Sequence, residues 1–140
     1  MQDLLKFFQT GDRFARHSDI ELLEVKPGFA KARMEIREKH LNGLGTAQGG
    51  AVFTLADLAF AAACNSHESA AVALNVNITF IKAGMPGMVL TAEANEVSLG
   101  KGTGNYTVRV TDDNGDLVAL FQGLAYRLKK PLPADHVVQR

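Results

Sequence analysis

Residues 48–64 read QGGAVFTLADLAFAAAC, and this stretch decides how the rest of the chain is read. From Ala51 to Cys64 only Thr54 and Asp57 interrupt an apolar run, and only Asp57 is charged. Ala, Leu and Phe dominate, which predicts a helix over residues 49–64. A helix apolar nearly all round must be buried nearly all round. A membrane span needs about 20 such residues, so this shorter run belongs in a globular core.

Moving outward, EKHLNGLGTAQGG (38–50) is rich in glycine, lacks periodicity and reads as a loop. Before it, DIELLEV (19–25) and FAKARMEI (29–36) flank the turn residues KPG and read as two strands. A short helix over about residues 2–10 ends near Gly11. After the central helix comes AAVALNVNITFI (70–81). There Val72, Leu74, Val76, Ile78 and Phe80 are expected on one strand face, with Asn75, Asn77 and Thr79 on the other. MVLTAEANEV (88–97), TGNYTVRVTD (103–112) and LVALFQGLAYRL (117–128) follow as strands, the last two joined by the hairpin signal DNGD. Short turns make these last three antiparallel. The tail from Lys129, with Pro131 and Pro133, is expected to be loose. The chain reads as a single domain over 1–140, with a curved sheet wrapped around one buried helix. One sheet covers one side of a helix, so the other side calls for a partner subunit.

Composition excludes several classes. Lys plus Arg and Asp plus Glu both number 15, which gives no electrostatic argument for nucleic acid or an anionic membrane. His17, His40, His67 and His136 are scattered without metal-ligand spacing, and one cysteine permits no disulfide within the chain. Lys6 breaks the apolar pairs near the N-terminus, so no secretion signal is read and the expected address is cytoplasmic.

Two features carry chemistry. Gly49 and Gly50 open the helix, where the first N–H groups have no intrahelical partner and face the positive end of the dipole. Such a start suits a carbonyl oxygen or developing oxyanion; a lone Gly-Gly more often serves tight packing of the helix start against a strand. Asp57 sits inside the apolar helix with only Thr54 as a polar neighbour, so it is either desolvated, as a general base would be, or on a solvated stripe. Eight residues of helix separate Gly49 from Asp57 by about 12 Å. Groups serving one bond must lie about 3 Å from the reacting atoms. If both residues are catalytic, a two-fold axis must set two helices antiparallel, and each site is shared between subunits.

N42-G-L-G-T-A-Q48-G-G followed by AVFTLADLAFAAACNS strongly resembles the PaaI-type hotdog-fold acyl-CoA thioesterases, as do NITFIKAGMPGMVLTAEA, GKGTGNYTVRV and VALFQGLAYR. The resemblance covers roughly residues 12–128. It implies an α+β hotdog fold, an antiparallel sheet of five to six strands wrapped around one long central helix. It also implies hydrolysis of acyl-CoA thioesters. Asp57 would be general base or nucleophile, the Gly49 N–H would polarise the carbonyl, and Asn42 would orient water or substrate. Gln48, Gly50, Asn65, Lys82 and Lys101 are the expected substrate contacts, the two lysines near the CoA phosphates. No metal and no cofactor beyond the substrate's CoA is implied. The partner would be a second copy of the chain, with dimers pairing into tetramers.

Two departures stand out. Gln48 replaces the family's usual His; a carboxamide can donate a hydrogen bond but does not titrate near neutrality. Ala83 replaces a frequent Pro. Two rival functions remain. One is a hydratase or dehydratase on the same scaffold, which typically needs a His; the other is a non-catalytic acyl-CoA sensor. His40 is expected at the surface and Cys64 as a buried, inert thiol.

Overall fold

The computed structural model describes residues 1–132. The elements run α1 (Gln2–Gly11), α2 (Arg13–His17), β1 (Ile20–Lys26), β2 (Phe29–Glu35), a short 3₁₀ turn (Glu38–His40), α3 (Gly49–Cys64), β3 (Ala71–Phe80), β4 (Val89–Leu99), β5 (Thr103–Thr111) and β6 (Leu117–Arg127). All six strands form one antiparallel sheet in the order β1-β2-β4-β5-β6-β3. Helix α3 touches every strand, so the sheet wraps around it as expected.

Side-chain size sets how closely helix and sheet approach. Ala30 and Ala32 on β2 pair with Ala94 and Ala92 on β4, and none of the four is exposed. They face a helix whose buried side includes Ala56, Ala59, Ala62 and Ala63. Larger groups fill the space toward β5 and β6, where Phe60 packs edge-on against Tyr106 and tilted against Phe121. Gly123 makes room there, since a Cβ on it would lie 2.5 Å from the Phe60 ring.

Four expectations need correction. A second short helix, α2, follows α1; Asp12 caps it by accepting the Ala15 N–H. The loop before α3 is more ordered than its composition suggests, with the 3₁₀ turn and a bridge between Leu41 and Ala47. In β3 a bulge lies between Ala73 and Asn75. An extra residue in one strand flips the alternation. Val76 and Ile78 pair with the inward Gly123 and Phe121, whereas Val72 pairs with the exposed Tyr126 and turns outward. Leu74 is also exposed. Finally, the chain beyond β6 is held at first: Leu128 N–H donates to Ala70, and Ala70 N–H donates to Lys130. The rest of the expected loose tail, from Pro133 and including His136, lies outside the described residues.

Candidate active site

The site begins with the one stripe of α3 that its own sheet leaves open. Gly50, Thr54, Asp57 and Ala61 fall on one helical face and are at least partly exposed, while most of the helix is buried. Asp57 sits mid-stripe, half-buried. Among the described residues it has no hydrogen bond and no ion pair. The Thr54 hydroxyl, its only polar neighbour in sequence, donates instead to the Gly50 carbonyl at 2.7 Å. Burial therefore pushes the Asp57 carboxyl above the ordinary carboxylate range, and the negative charge of Asp12 adds to the effect. A poorly solvated carboxylate with free lone pairs can accept a proton from water or attack a carbonyl.

At the head of α3, Gln48 is the N-cap. Its backbone is extended, and its side-chain oxygen accepts the Gly50 N–H. The two glycines are thereby distinguished. The Gly50 N–H is occupied within the chain, so Gly50 has no amide hydrogen left for a substrate. The Gly49 N–H has no partner among the described residues. It points from the positive end of a sixteen-residue helix. The Phe80 ring covers this position: a Cβ on Gly49 would stand 3.1 Å from its edge. Beside it lies an open cleft of about 330 Å³, lined by Ala47, Val52, Phe80, Ile81, Gly84 and Val118. Another surface cleft, about 650 Å³, runs along β1 between charged residues of both signs and includes neither Gly49 nor Asp57. Gly49, whose N–H is free, lines the smaller cleft.

Other expected contacts have different duties. The Asn42 side-chain oxygen accepts the N–H groups of Leu44 and Thr46, and its amide donates to the Thr46 hydroxyl. It shapes the loop before Gln48 and keeps one amide hydrogen for another partner. Asn65 is buried. Its amide donates to the Ala61 and Ala71 carbonyls and its oxygen accepts the Ala71 N–H. It closes α3 and ties it to β3, so it is not free to bind substrate. Lys82 bridges Asp112 at 2.7 Å and Asp116 at 2.8 Å, and these hydrogen bonds push its ammonium up to about 12. That lysine fastens the β5–β6 hairpin rather than standing free for a phosphate. Lys101 is exposed in the β4–β5 turn. The eleven residues of β4 separate its end from the Lys82 end of the sheet, a span of about 35 Å. The two lysines cannot meet one ligand within a single chain.

His40 is buried rather than at the surface. Its Nδ1 accepts the Arg37 N–H and its Nε2 donates to the Ser18 carbonyl at 2.6 Å, a pattern that fits the neutral ring and pins the site loop to the end of α2. Cys64 is buried, and burial, with the Asp57 charge second, pushes its thiol up to about 12. It is inert, as expected. Among the described residues no group of three His, Cys, Asp or Glu is placed to hold a metal.

Sequence reading missed Phe80 as a cover for Gly49 and Asp12 as the cap of α2. Asp12 does carry a legible signal, an acidic residue just after a helix-ending glycine, which suits an N-cap. Phe80 carries none, because only the sheet register brings β3 to the head of α3.

The chain is similar to known proteins. Residues 44–119 match the thioesterase superfamily. Acyl-coenzyme A thioesterase PaaI of Escherichia coli is 39% identical over 117 residues, 84% of each chain. The solved structure of E. coli PaaI, from the phenylacetic acid degradation operon, superposes with a TM-score of 0.82 at 36% identity, covering 90% of this chain and 96% of that one. A Streptococcus mutans protein solved bound to acetyl-CoA gives a TM-score of 0.77 at 28% identity, covering 80% of this chain and 90% of that one.

Proposed function

This chain belongs to the thioesterase superfamily, and we propose that Asp57 of one subunit and the Gly49 N–H of another together hydrolyse an acyl-CoA thioester. The family and the relatives support acyl-CoA hydrolysis. The observation that carries the residue assignment is the pairing of an unpartnered, partly desolvated carboxylate with an unpartnered helix-terminal N–H. The N–H polarises the thioester carbonyl and holds its oxygen as negative charge develops. Asp57 either takes a proton from the attacking water or attacks the carbonyl itself to form a mixed anhydride that water then opens. Both routes release the free acid and the CoA thiol, and neither needs a further cofactor.

Support for the shared site comes from the sheet edges. Edge β1 carries Glu21, Glu24 and Lys26, is bulged, and is covered by α1, whose Gln9 amide donates to the Leu22 carbonyl. These are devices against edge pairing. Edge β3 has no charged residue over its ten positions, and most of them are exposed. A second copy pairing along β3 about a two-fold axis sets the two α3 helices antiparallel, as the separation of Gly49 from Asp57 requires. The acyl chain then lies against the open stripe of α3 and apolar walls of the partner. Exposed Val72, Val97 and Tyr126 at one end of the outer sheet face favour pairing of dimers into a tetramer. Among the described residues no helix is long and apolar enough to cross a membrane.

Thiol release from a panel of acyl-CoA substrates tests the mechanism. Asp57→Ala should abolish turnover and keep the fold; turnover at the parental rate sinks the assignment. Mixing inactive Asp57→Ala chains with inactive Gly49→Pro chains tests the sharing. Random dimers then contain one intact site in each mixed dimer, restoring about a quarter of parental activity. No recovery after subunit exchange would place both residues in one chain's site.

A further inference from the structure

The bulge in β3 aims an aromatic ring at the head of α3. Past the bulge, Val76, Ile78 and Phe80 fall on the helix side of the sheet. Val76 and Ile78 pack on the core, opposite Gly123 and Phe121. Phe80 is the last residue of the strand and stands opposite Ala119, at the level where α3 begins. Its ring therefore overhangs Gly49: the ring tip, Cζ, would lie 3.1 Å from a Cβ there, and the two flanking ring carbons 3.5 Å. The residue stays 54% exposed. It forms one wall of the cleft of about 330 Å³ that Gly49 also lines.

The chemistry of the walls decides which half of a thioester fits. Ala47, Val52, Ile81 and Val118 supply apolar side chains. The Ala47 N–H is spent on the Gly84 carbonyl, and the Ile81 and Lys82 N–H groups both donate to the Val118 carbonyl. Lys82 is the charged residue of the lining, and its ammonium is held by Asp112 and Asp116. Two carboxylates outnumber one ammonium there, so that rim is net negative. A CoA arm carries amides that need partners and phosphates that such a rim repels. An acyl chain needs only apolar walls. We propose that Phe80 is the specificity-determining wall of the acyl site. The acyl group enters this cleft with its carbonyl on the Gly49 N–H; the cleft selects neutral groups, and the ring selects those unbranched at the carbon next to the carbonyl. The proposal rests on the reading of Gly49 as the donor to that carbonyl. An oxygen bonded to this N–H lies about 2.9 Å from the nitrogen. The adjoining acyl carbon then meets the ring tip that already crowds a single Cβ at Gly49. A methyl branch on that carbon has to displace the ring or the carbonyl. A terminal carboxylate loses water against apolar walls, with the lysine already engaged.

Butyryl-CoA, isobutyryl-CoA and succinyl-CoA test this, because their acyl groups share four carbons and differ in branching and charge. Hexanoyl-, 2-methylpentanoyl- and adipoyl-CoA repeat the comparison at six carbons. In the parent, kcat/KM for the branched and for the carboxylated substrate should fall about tenfold or more below that for the straight one. Phe80→Leu and Phe80→Ala should close the straight-to-branched ratio by about tenfold and leave the carboxylate penalty in place. Phe80→Tyr keeps the ring and should keep the parental ratio. More than half of Phe80 is exposed, so truncation opens no buried cavity and the variants should fold. Competitive inhibition by free CoA should be the same in all of them. An unmoved straight-to-branched ratio in Phe80→Ala overturns the proposal. So does weaker inhibition by CoA with equal losses on every substrate, which would place the CoA arm against the ring. Parental turnover of succinyl-CoA at the butyryl-CoA rate overturns the selection of neutral groups. Full turnover by Gly49→Pro would instead overturn the reading of Gly49 as the donor, and the ratios in the Phe80 variants would still decide what the ring selects.

Discussion

At its N-terminal end α3 begins with a backbone N–H that nothing described in its own chain accepts; at its C-terminal end the polar side chains have partners. There Asn65 spans Ala61 and Ala71, and the Ser66 hydroxyl donates to the Ala63 carbonyl while accepting the Gly28 N–H. Just beyond, His67 and the Tyr106 hydroxyl converge on one oxygen of Glu96, at 2.6 and 2.8 Å. Burial first, and that hydrogen bond second, push the Tyr106 phenol up. One end of the helix is closed chemistry and the other is open chemistry. The contrast teaches that hydrogen-bond satisfaction, more than exposure or cleft size, separates scaffold from site. Buried polar groups in a finished fold are nearly always paired, so an unpaired N–H and a bare carboxylate on the same helix mark where an external partner belongs.

The largest effect should come from closing the open end. Gly49→Pro removes the N–H and sets a ring against the Phe80 edge, 3.1 Å from where a Cβ would stand; proline suits the first helical position, and the extended Gln48 before it already has the required conformation. Loss of one oxyanion donor should lower kcat about 10²- to 10³-fold. Gly49→Ala is the control, since it keeps the N–H and meets the same exposed edge of Phe80. Equal losses in both variants would mean that space, and not the hydrogen bond, matters at this position.

Opening the closed end should affect stability instead. Asn65→Ala strips a buried amide of its hydrogen bonds and should cost about 2–3 kcal/mol in urea unfolding. Activity per folded molecule should hold. Activity lost in a fully folded variant would return Asn65 to the site.

The smallest effect concerns Asp57 and folding. Its carboxyl is raised in the folded state, so the fold holds that proton more tightly than the unfolded chain does. Ionising Asp57 therefore costs stability, and the cost grows as pH rises above the ordinary carboxylate range. Asp57→Asn should melt above the parent near neutrality, with the gap closing as pH falls. A parent that melts higher at neutral pH would show that the carboxylate is satisfied after all.

Much of the fold was legible. The central helix, all six strands and the antiparallel hairpins follow from periodicity and turn residues that act locally. The exceptions are instructive. The bulge in β3 was invisible because VALNV alternates well enough to hide one inserted residue; only pairing with β6 reveals it. The α2 helix was missed because five residues show no period. At the site, Asp57 and Gly49 stood out because each breaks a local rule, a charge in an apolar helix and glycines at its start. For Asn65 and Lys82 the sequence left the partners hidden, because a polar residue in sequence shows none. Their partners are Ala71, across a turn, and Asp112 and Asp116, on the far hairpin.

The sequence by itself therefore determined the elements, the buried helix and the two oddities within it, because those depend on short-range periodicity and on residue chemistry. It also implied that the oddities lie too far apart to serve one bond in one chain. Only the tertiary structure decided which polar groups are spent and which are free. That question turns on contacts between residues distant along the chain, such as Gly28 with Ser66, Lys82 with Asp112, and Phe80 over Gly49. Such contacts exist only once the sheet has closed around the helix and fixed the register that brings them together.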